Sequence, residues 1–155
     1  MISAILVATA MTPWTQAVIN HSSLTPRACY DSKTPLDAGE ALMKLNPDTL
    51  FYNKMEWGDW LIWISDGELP LFVNSHVPLI KENVWQDYMS FIRQSDNWKE
   101  RWDSYSFSAA LVDYRRHNEL AESLAKDPNW HEVYRDRRAV IFVPNTSGDN
   151  ADPDE

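Results

Sequence analysis

Between Asn53 and His76 the chain reads NKMEWGDWLIWISDGELPLFVNSH. Three of the eight tryptophans, Trp57, Trp60 and Trp63, fall within seven residues of it. Residues 57–64 are apolar nearly all round, so the segment has almost no side to offer water and must be buried. Trp57, Trp60, Leu61 and Ile64 share a helical face, although alternation fits a strand almost as well. A short buried helix is the preferred reading, with the three tryptophans as core pillars between helix and sheet. Asp66-Gly67 then turns the chain. Residues 69–74 are a continuous apolar run, the pattern of a strand covered on both faces. The run surfaces in a polar tip, Asn74-Ser75-His76, and the end of such a strand is where α/β domains commonly bind ligands.

The same alternation continues along the chain. Thr34-Pro35 reads as an N-cap followed by proline at the first helical position. Leu36, Ala38, Ala41, Leu42 and Leu45 follow at helical spacing until Asn46-Pro47 stops the run. Residues 50–52 form a first short strand. Val84, Tyr88, Phe91 and Ile92 make the stripe of an amphipathic helix, and residues 98–105 a further helical turn. FSAALVD, residues 107–113, is a third strand. Residues 118–126 form a helix ended by Asp127-Pro128. Residues 130–134 and 139–143 flank the charged turn Arg135-Asp136-Arg137-Arg138 and predict an antiparallel hairpin. The expected fold is α/β: a three-layer sandwich with a mixed, mostly parallel sheet of about five strands, a C-terminal β-hairpin and helices on both faces. This domain spans residues 34–144, after an apolar stub and linker (1–33) and before an acidic, disordered tail (145–155).

A chain of 155 residues with 44% apolar and 24% charged residues builds an ordinary globular core. Its formal net charge is −9, and four of its acids, Asp149, Asp152, Asp154 and Glu155, sit in the tail. Without them, 19 acids face 14 basic residues, a net −5. Nucleic acid is therefore an unsuitable partner, because binding it needs a basic field. The lone Cys29 excludes an internal disulfide and a multi-cysteine zinc site. His21, His76, His117 and His131 show no metal-ligand spacing. No nucleophile elbow and no glycine-rich phosphate loop occurs, so no cofactor and no metal is expected.

Residues 2–11, ISAILVATAM, are apolar and uncharged, but Pro13 cuts the run well short of the roughly 20 residues that span a bilayer. No Lys or Arg precedes Arg27, which disfavours a secretory signal. The run fits the end of a spanning helix with Trp14 at the interface, a buried strand or helix, or a signal-like anchor.

The order of motifs resembles the soluble C-terminal domain of bacterial multi-pass membrane proteins of the lipid-linked-sugar glycosyltransferase type, the dolichyl-phosphate-mannose mannosyltransferase-like group. The matching residues are Thr34-Pro35, Trp57-Gly58-Asp59-Trp60-Leu61 and Leu71-Phe72-Val73, then Trp85 to Tyr88, Ala110-Leu111-Val112, Pro128-Asn129-Trp130 and Val133-Tyr134-Arg135-Asp136. Their order and spacing over residues 34–143 carry the resemblance, not any single motif. Where that family shows Asp-Gly-Arg, this chain has Asn74-Ser75-His76, so a carboxylate and a guanidinium give way to an amide and an imidazole. The resemblance implies an accessory extracytoplasmic domain, membrane-associated and not itself catalytic, because the glycosyl-transfer acids of such proteins belong to their membrane part. A membrane surface or membrane domain, and a glycan or lipid-linked sugar, are the implied partners.

The candidate ligand-binding residues are Asn74, Ser75, His76, Asp59 and Trp57. An amide and a hydroxyl suit sugar hydroxyls, and an imidazole titrates near neutrality. The simpler reading is that Asn74, Ser75 and His76 cap the turn before Pro78. Catalysis by His76 needs a carboxylate, for which Asp59 and Glu56 are nearest in sequence. Tyr114-Arg115-Arg116-His117 is a basic knot suited to lipid headgroups or phosphates, or simply a solvated loop paired with acids. The alternatives to a glycan-binding accessory domain are a soluble structural or interaction domain without ligand, located in the cytoplasm, and a small hydrolase or transferase using His76.

Overall fold

The structure, a computed structural model, describes residue 15 and residues 30–145 except residue 96. Two compact units, Met1–Thr34 and Pro35–Glu155, divide the chain. The apolar run 2–11, Cys29 and the acidic tail after Asn145 lie outside the described residues. In the first unit, Thr34 N donates to Asp31 O at 2.9 Å and closes a turn. Among the described residues, no helix is long and apolar enough to cross a membrane.

The second unit is mixed α/β. Helix α1 (Leu36–Leu45) leads to β1 (Tyr52–Asn53) and α2 (Met55–Ile64). A 3-10 turn (Val77–Leu79), α3 (Glu82–Arg93) and α4 (Trp98–Ser104) follow. Strand β2 (Ala110–Asp113), α5 (Asn118–Lys126), β3 (Trp130–Arg135) and β4 (Ala139–Pro144) complete it. Helix α1 begins one residue later than the sequence pattern suggests, with Pro35 rather than Thr34 at the cap. It ends where Asn46 takes the left-handed conformation at φ 46°, which Asn tolerates better than most residues. The hairpin forms as expected. Asp136 Oδ1 accepts from Arg138 N at 2.7 Å and Ala139 N at 2.8 Å and so fixes its turn.

Among the described residues the sheet has four strands, in the order β1-β2-β4-β3. This corrects the expectation of about five, and the sheet is not mostly parallel. Of its strand pairs, β1–β2 is parallel, whereas β2–β4 and β3–β4 are antiparallel. The missing strand is the run 69–74, which contributes a single parallel bridge between Phe51 and Leu71. Beyond that bridge a side chain replaces the ladder. Asn53 Nδ2 donates to Val73 O at 2.7 Å, while Asn53 Oδ1 accepts from Phe72 N at 3.1 Å and Val73 N at 3.3 Å. Asn53 is fully buried, so its amide satisfies backbone groups that water cannot reach. The apolar pattern was a sign of burial, not of strand pairing.

Alternate strand residues feed different cores, as the two-residue period of a strand requires. Tyr52, Ala110, Val112, Val140 and Phe142 join Tyr88 and Phe91 of α3, Trp102 of α4 and Leu120 and Leu124 of α5. Phe51, Leu111, Ala139 and Ile141 join Ala38 and Leu42 of α1 and Trp57 and Leu61 of α2. The first cluster is largely aromatic: ring centroids lie 5.0 Å apart for Tyr52–Trp102, 4.8 Å for Trp102–Phe107 and 5.0 Å for Phe72–Phe107.

The tryptophan block is helical, but only part of it is core. Trp57 is 4% exposed and Trp63 is 67% exposed. Three residues advance a helix by about 60° less than a full turn. Two such steps carry Trp63 about 120° away from Trp57 and off the buried face. Trp60, between them, packs its ring where Gly39 of α1 leaves room: a Cβ there would lie 2.1 Å from Trp60 Cη2.

Candidate functional site

The Leu71 bridge, β1 and β2 run in the same direction, so the segments that follow them emerge at one end of the sheet. These are the turn 74–76, the start of α2 and the loop 114–117. The start of β4 reaches the same end, since Ala139 pairs with Asp113.

At the first of these, α2 holds the polar tip. Gly58 packs directly on it; a Cβ at that position would lie 2.5 Å from Val73 O and 2.7 Å from Asn74 Cα. The next residue, Asp59, then becomes a hub. Its Oδ1 accepts from Ser75 N at 3.3 Å, its Oδ2 accepts from Ser75 Oγ, and His76 Nδ1 lies 3.6 Å from its Oδ1. Asn74 Oδ1 accepts from His76 N at 3.0 Å, which closes the turn locally. Asp59, Asn74, Ser75 and His76 are therefore brought together. Ser75 and His76 each reach the carboxylate rather than each other. The His76 and Asp59 side chains are 64% and 47% exposed, and water screens their attraction heavily.

Trp57 lies inward of the exposed tip, 4% exposed. It is buried in the second core cluster, with the Lys54 ammonium 5.3 Å from its ring centroid. Glu56, the other acid near His76 in sequence, lies 3.7 Å from Lys54 Nζ instead. Beside the tip runs a groove of about 440 Å³. Ile62, Leu71, Ile80 and Val84 line its apolar part, and Asn74, His76 and Lys81 its polar rim.

A second constellation lies where β1 and β2 end, and sequence reasoning missed most of it. Lys54 Nζ donates to Asp113 Oδ2 at 2.9 Å, with the two side chains 10% and 0% exposed. Arg138 Nη1 stands 3.7 Å from the same oxygen. Asp113 also organises the loop 114–117. Its Oδ1 accepts from Arg115 N at 3.2 Å, and its carbonyl accepts from Arg116 N at 3.0 Å and His117 N at 2.7 Å. His117 is half-buried, and its Nδ1 is buried without a hydrogen-bond partner. Burial lowers the His117 pKa below its usual value; Lys54 and Arg116 push the same way, against Asp113 and Glu56. Nearby, Tyr88 Oη accepts from Met55 N at 3.0 Å, and the Tyr52 hydroxyl has no partner. Burial raises the pKa of both phenols, so both stay neutral.

One local signal pointed here. An acid at the end of a buried apolar run, as in FSAALVD, needs a cation, and Lys54 is the first charged residue after β1. Among the described residues, no group of three or more His, Cys, Asp or Glu side chains is placed to hold a metal ion. No family model, curated protein or solved structure matches the chain.

Proposed function

We propose that this chain is an accessory extracytoplasmic domain of a membrane glycosyltransferase-like protein, which binds the polar head of a glycan or lipid-linked sugar and is not itself catalytic. The observation that carries the reading is the groove beside the tip, apolar along Ile62, Leu71 and Val84 and polar at Asn74, His76 and Lys81. Such a groove suits a ligand with a hydrogen-bonding head and an apolar tail. The motif order that resembles the glycosyltransferase group supports the same class of ligand. The sheet is read as the middle of three layers, supported by strand residues that alternate between two helix-lined clusters. The test is titration with a short-chain polyprenyl-phosphate sugar in detergent, followed by tryptophan fluorescence. Saturable binding that weakens about tenfold or more in Asn74→Ala and His76→Ala supports the reading, because each removes a polar group that fixes the ligand.

One observation favours a second reading, a structural or interaction domain without ligand. Ser75 and Asp59 spend their polar groups on one another, and Asn74 Oδ1 is spent on the turn. Fluorescence that stays unchanged across the titration selects this reading over the first.

A further inference from the structure

We propose that the groove between α3 and α4 is a binding site for a ring-bearing monocarboxylate, with Arg93 and Arg101 on the carboxylate and Trp85 against the ring. It shares no lining residue with the groove beside Asn74 and stands whether or not that groove binds a sugar.

The helix phase supplies the place. Trp85, Met89 and Arg93 follow one another at i, i+4 and i+8 along α3, so they form one stripe. The stripe is about 12 Å long, from Trp85 to Arg93 at the helical rise. Gln86 of α3, Ser95 of the loop after it and Arg101 of α4 help to wall a cavity of about 580 Å³. That volume is in the usual range for a small-molecule site. Trp85 and Met89 are half-buried, which leaves part of each side chain for a ligand.

The side chains supply the chemistry. No carboxylate lines this groove among the described residues. The Arg93 guanidinium has no hydrogen bond or ion pair among them, on a chain in which 23 acids face 14 basic residues. Asp87, the acid beside Arg101, has both oxygens engaged. Its Oδ1 accepts from Arg101 Nη1 at 2.7 Å and its Oδ2 from Tyr105 Oη at 2.6 Å. These bonds hold Arg101 in place and use one of its guanidinium donors, which leaves the others for a ligand. A guanidinium fork matches the two oxygens of a carboxylate, and a cation already held in position loses less freedom on binding.

The charge balance selects the anion. Arg93 and Arg101 set against Asp87 leave one positive charge at the groove. A monocarboxylate cancels it, whereas a phosphate monoester is mostly dianionic near neutral pH and exceeds it. The Trp85 ring offers a flat apolar surface that suits a ligand ring. Gln86 Nε2 donates to Glu82 Oε1 at 3.2 Å, and the Gln86 carbonyl oxygen stays open to a ligand hydroxyl. Sugar acids and aromatic acids share the ring and the carboxylate. A sugar acid adds hydroxyl groups that Gln86 and Ser95 can bind, so it is the favoured ligand.

The experiment is an NMR titration of the native chain at constant ionic strength, read at the Trp85 indole N–H and the Arg93 Nε–H. The titrants are glucuronate, benzoate, the neutral methyl glucoside and inorganic phosphate. Glucuronate should shift both signals saturably, with a dissociation constant of about 1 mM, as expected for a ligand this small. Methyl glucoside and phosphate should each bind about tenfold more weakly or not at all, since one lacks the charge and the other exceeds it. Arg93→Gln should weaken glucuronate about tenfold or more, because it removes charge-assisted hydrogen bonds. Glucuronate tighter than benzoate assigns a sugar acid, and benzoate tighter than glucuronate assigns an aromatic acid. No saturable shift with either acid, methyl glucoside or phosphate as tight as the acids, or unchanged acid binding in Arg93→Gln overturns the proposal. All but the last need only the native chain, so they stand even if the variant misfolds.

Discussion

Lys54 Nζ lies 2.9 Å from Asp113 Oδ2 and so ties the residue after β1 to the last residue of β2 across 59 positions of sequence. Both side chains are nearly or wholly out of water. A buried ion pair of this kind adds little net stability over a well-packed apolar pair, but removing one partner strands the other charge. Asp113→Asn should therefore cost about 3–5 kcal/mol in urea unfolding. The double variant Lys54→Met, Asp113→Leu should lose less than Asp113→Asn alone, because the charge it leaves, Arg138, keeps a 24% exposed side chain that water can reach. A double variant as unstable as the single would show that the bonds from Asp113 to the loop 114–117 dominate instead.

His117 makes stability depend on pH. Its folded-state pKa lies below the ordinary value of 6.5, mainly through burial and then through Lys54. The unfolded chain therefore binds the proton more readily, and stability rises with pH where the two states differ in protonation. The contribution is fully present above about pH 6.5 and is lost as pH falls through the lowered folded-state value. Thermal melts should show a decline below about pH 6.5 that His117→Gln flattens. An identical decline in the variant would assign the effect to the carboxylates.

Asn53 should be among the least replaceable polar residues. Its amide serves Val73 O, Phe72 N and Val73 N from a fully buried position. Phe72 N keeps a second partner in Phe51 O at 3.1 Å, so Asn53→Ala orphans chiefly the two Val73 groups. At roughly 1–3 kcal/mol per stranded group, the loss should be about 2–6 kcal/mol, measured by chemical denaturation. Amide exchange at Phe72 and Val73 should speed up more than at Ala110 or Leu111.

These residues show what was legible in the sequence. Periodicity located α1, α3, α5 and the hairpin because each depends on neighbours a few positions away. It misread residues 69–74, because an apolar run reports burial, and the partner that displaced the strand ladder is a side chain about 20 positions earlier. It brought Asp59 to His76 only as one of two nearby acids. It saw the basic knot at 114–117 but not its anchor, since Lys54 and Asp113 meet only once β1 and β2 pair. It also took Trp63 for core, because three-residue spacing looks regular on paper yet drifts around a helix.

Gly58 should tolerate no side chain. A Cβ there meets Val73 O at 2.5 Å and Asn74 Cα at 2.7 Å, and both are backbone atoms that cannot rotate aside. Gly58→Ala must push α2 away from the tip, and overpacking of this kind costs about 1–3 kcal/mol. The shift should also separate Asp59 from Ser75 and His76. NMR should then show perturbed resonances at residues 74–76, with the β3–β4 hairpin unchanged. A variant with native stability and native tip resonances would mean that α2 does not pack on Val73 and Asn74 as closely as the structure has it.

The tryptophans separate by burial, not by neighbourhood in sequence. Trp102 is 1% exposed and sits among Tyr52, Phe91, Phe107 and Trp130 at centroid distances of 4.8 to 5.7 Å. Trp102→Ala should cost about 3–5 kcal/mol, the usual penalty for emptying a large aromatic site. Trp63, at 67% exposure, should cost no more than about 0.5 kcal/mol when replaced by Ala. Its emission should also be the most accessible to acrylamide quenching among residues 57, 60 and 63. A large loss of stability in Trp63→Ala would return that ring to the core and reverse the helical phase assigned to α2.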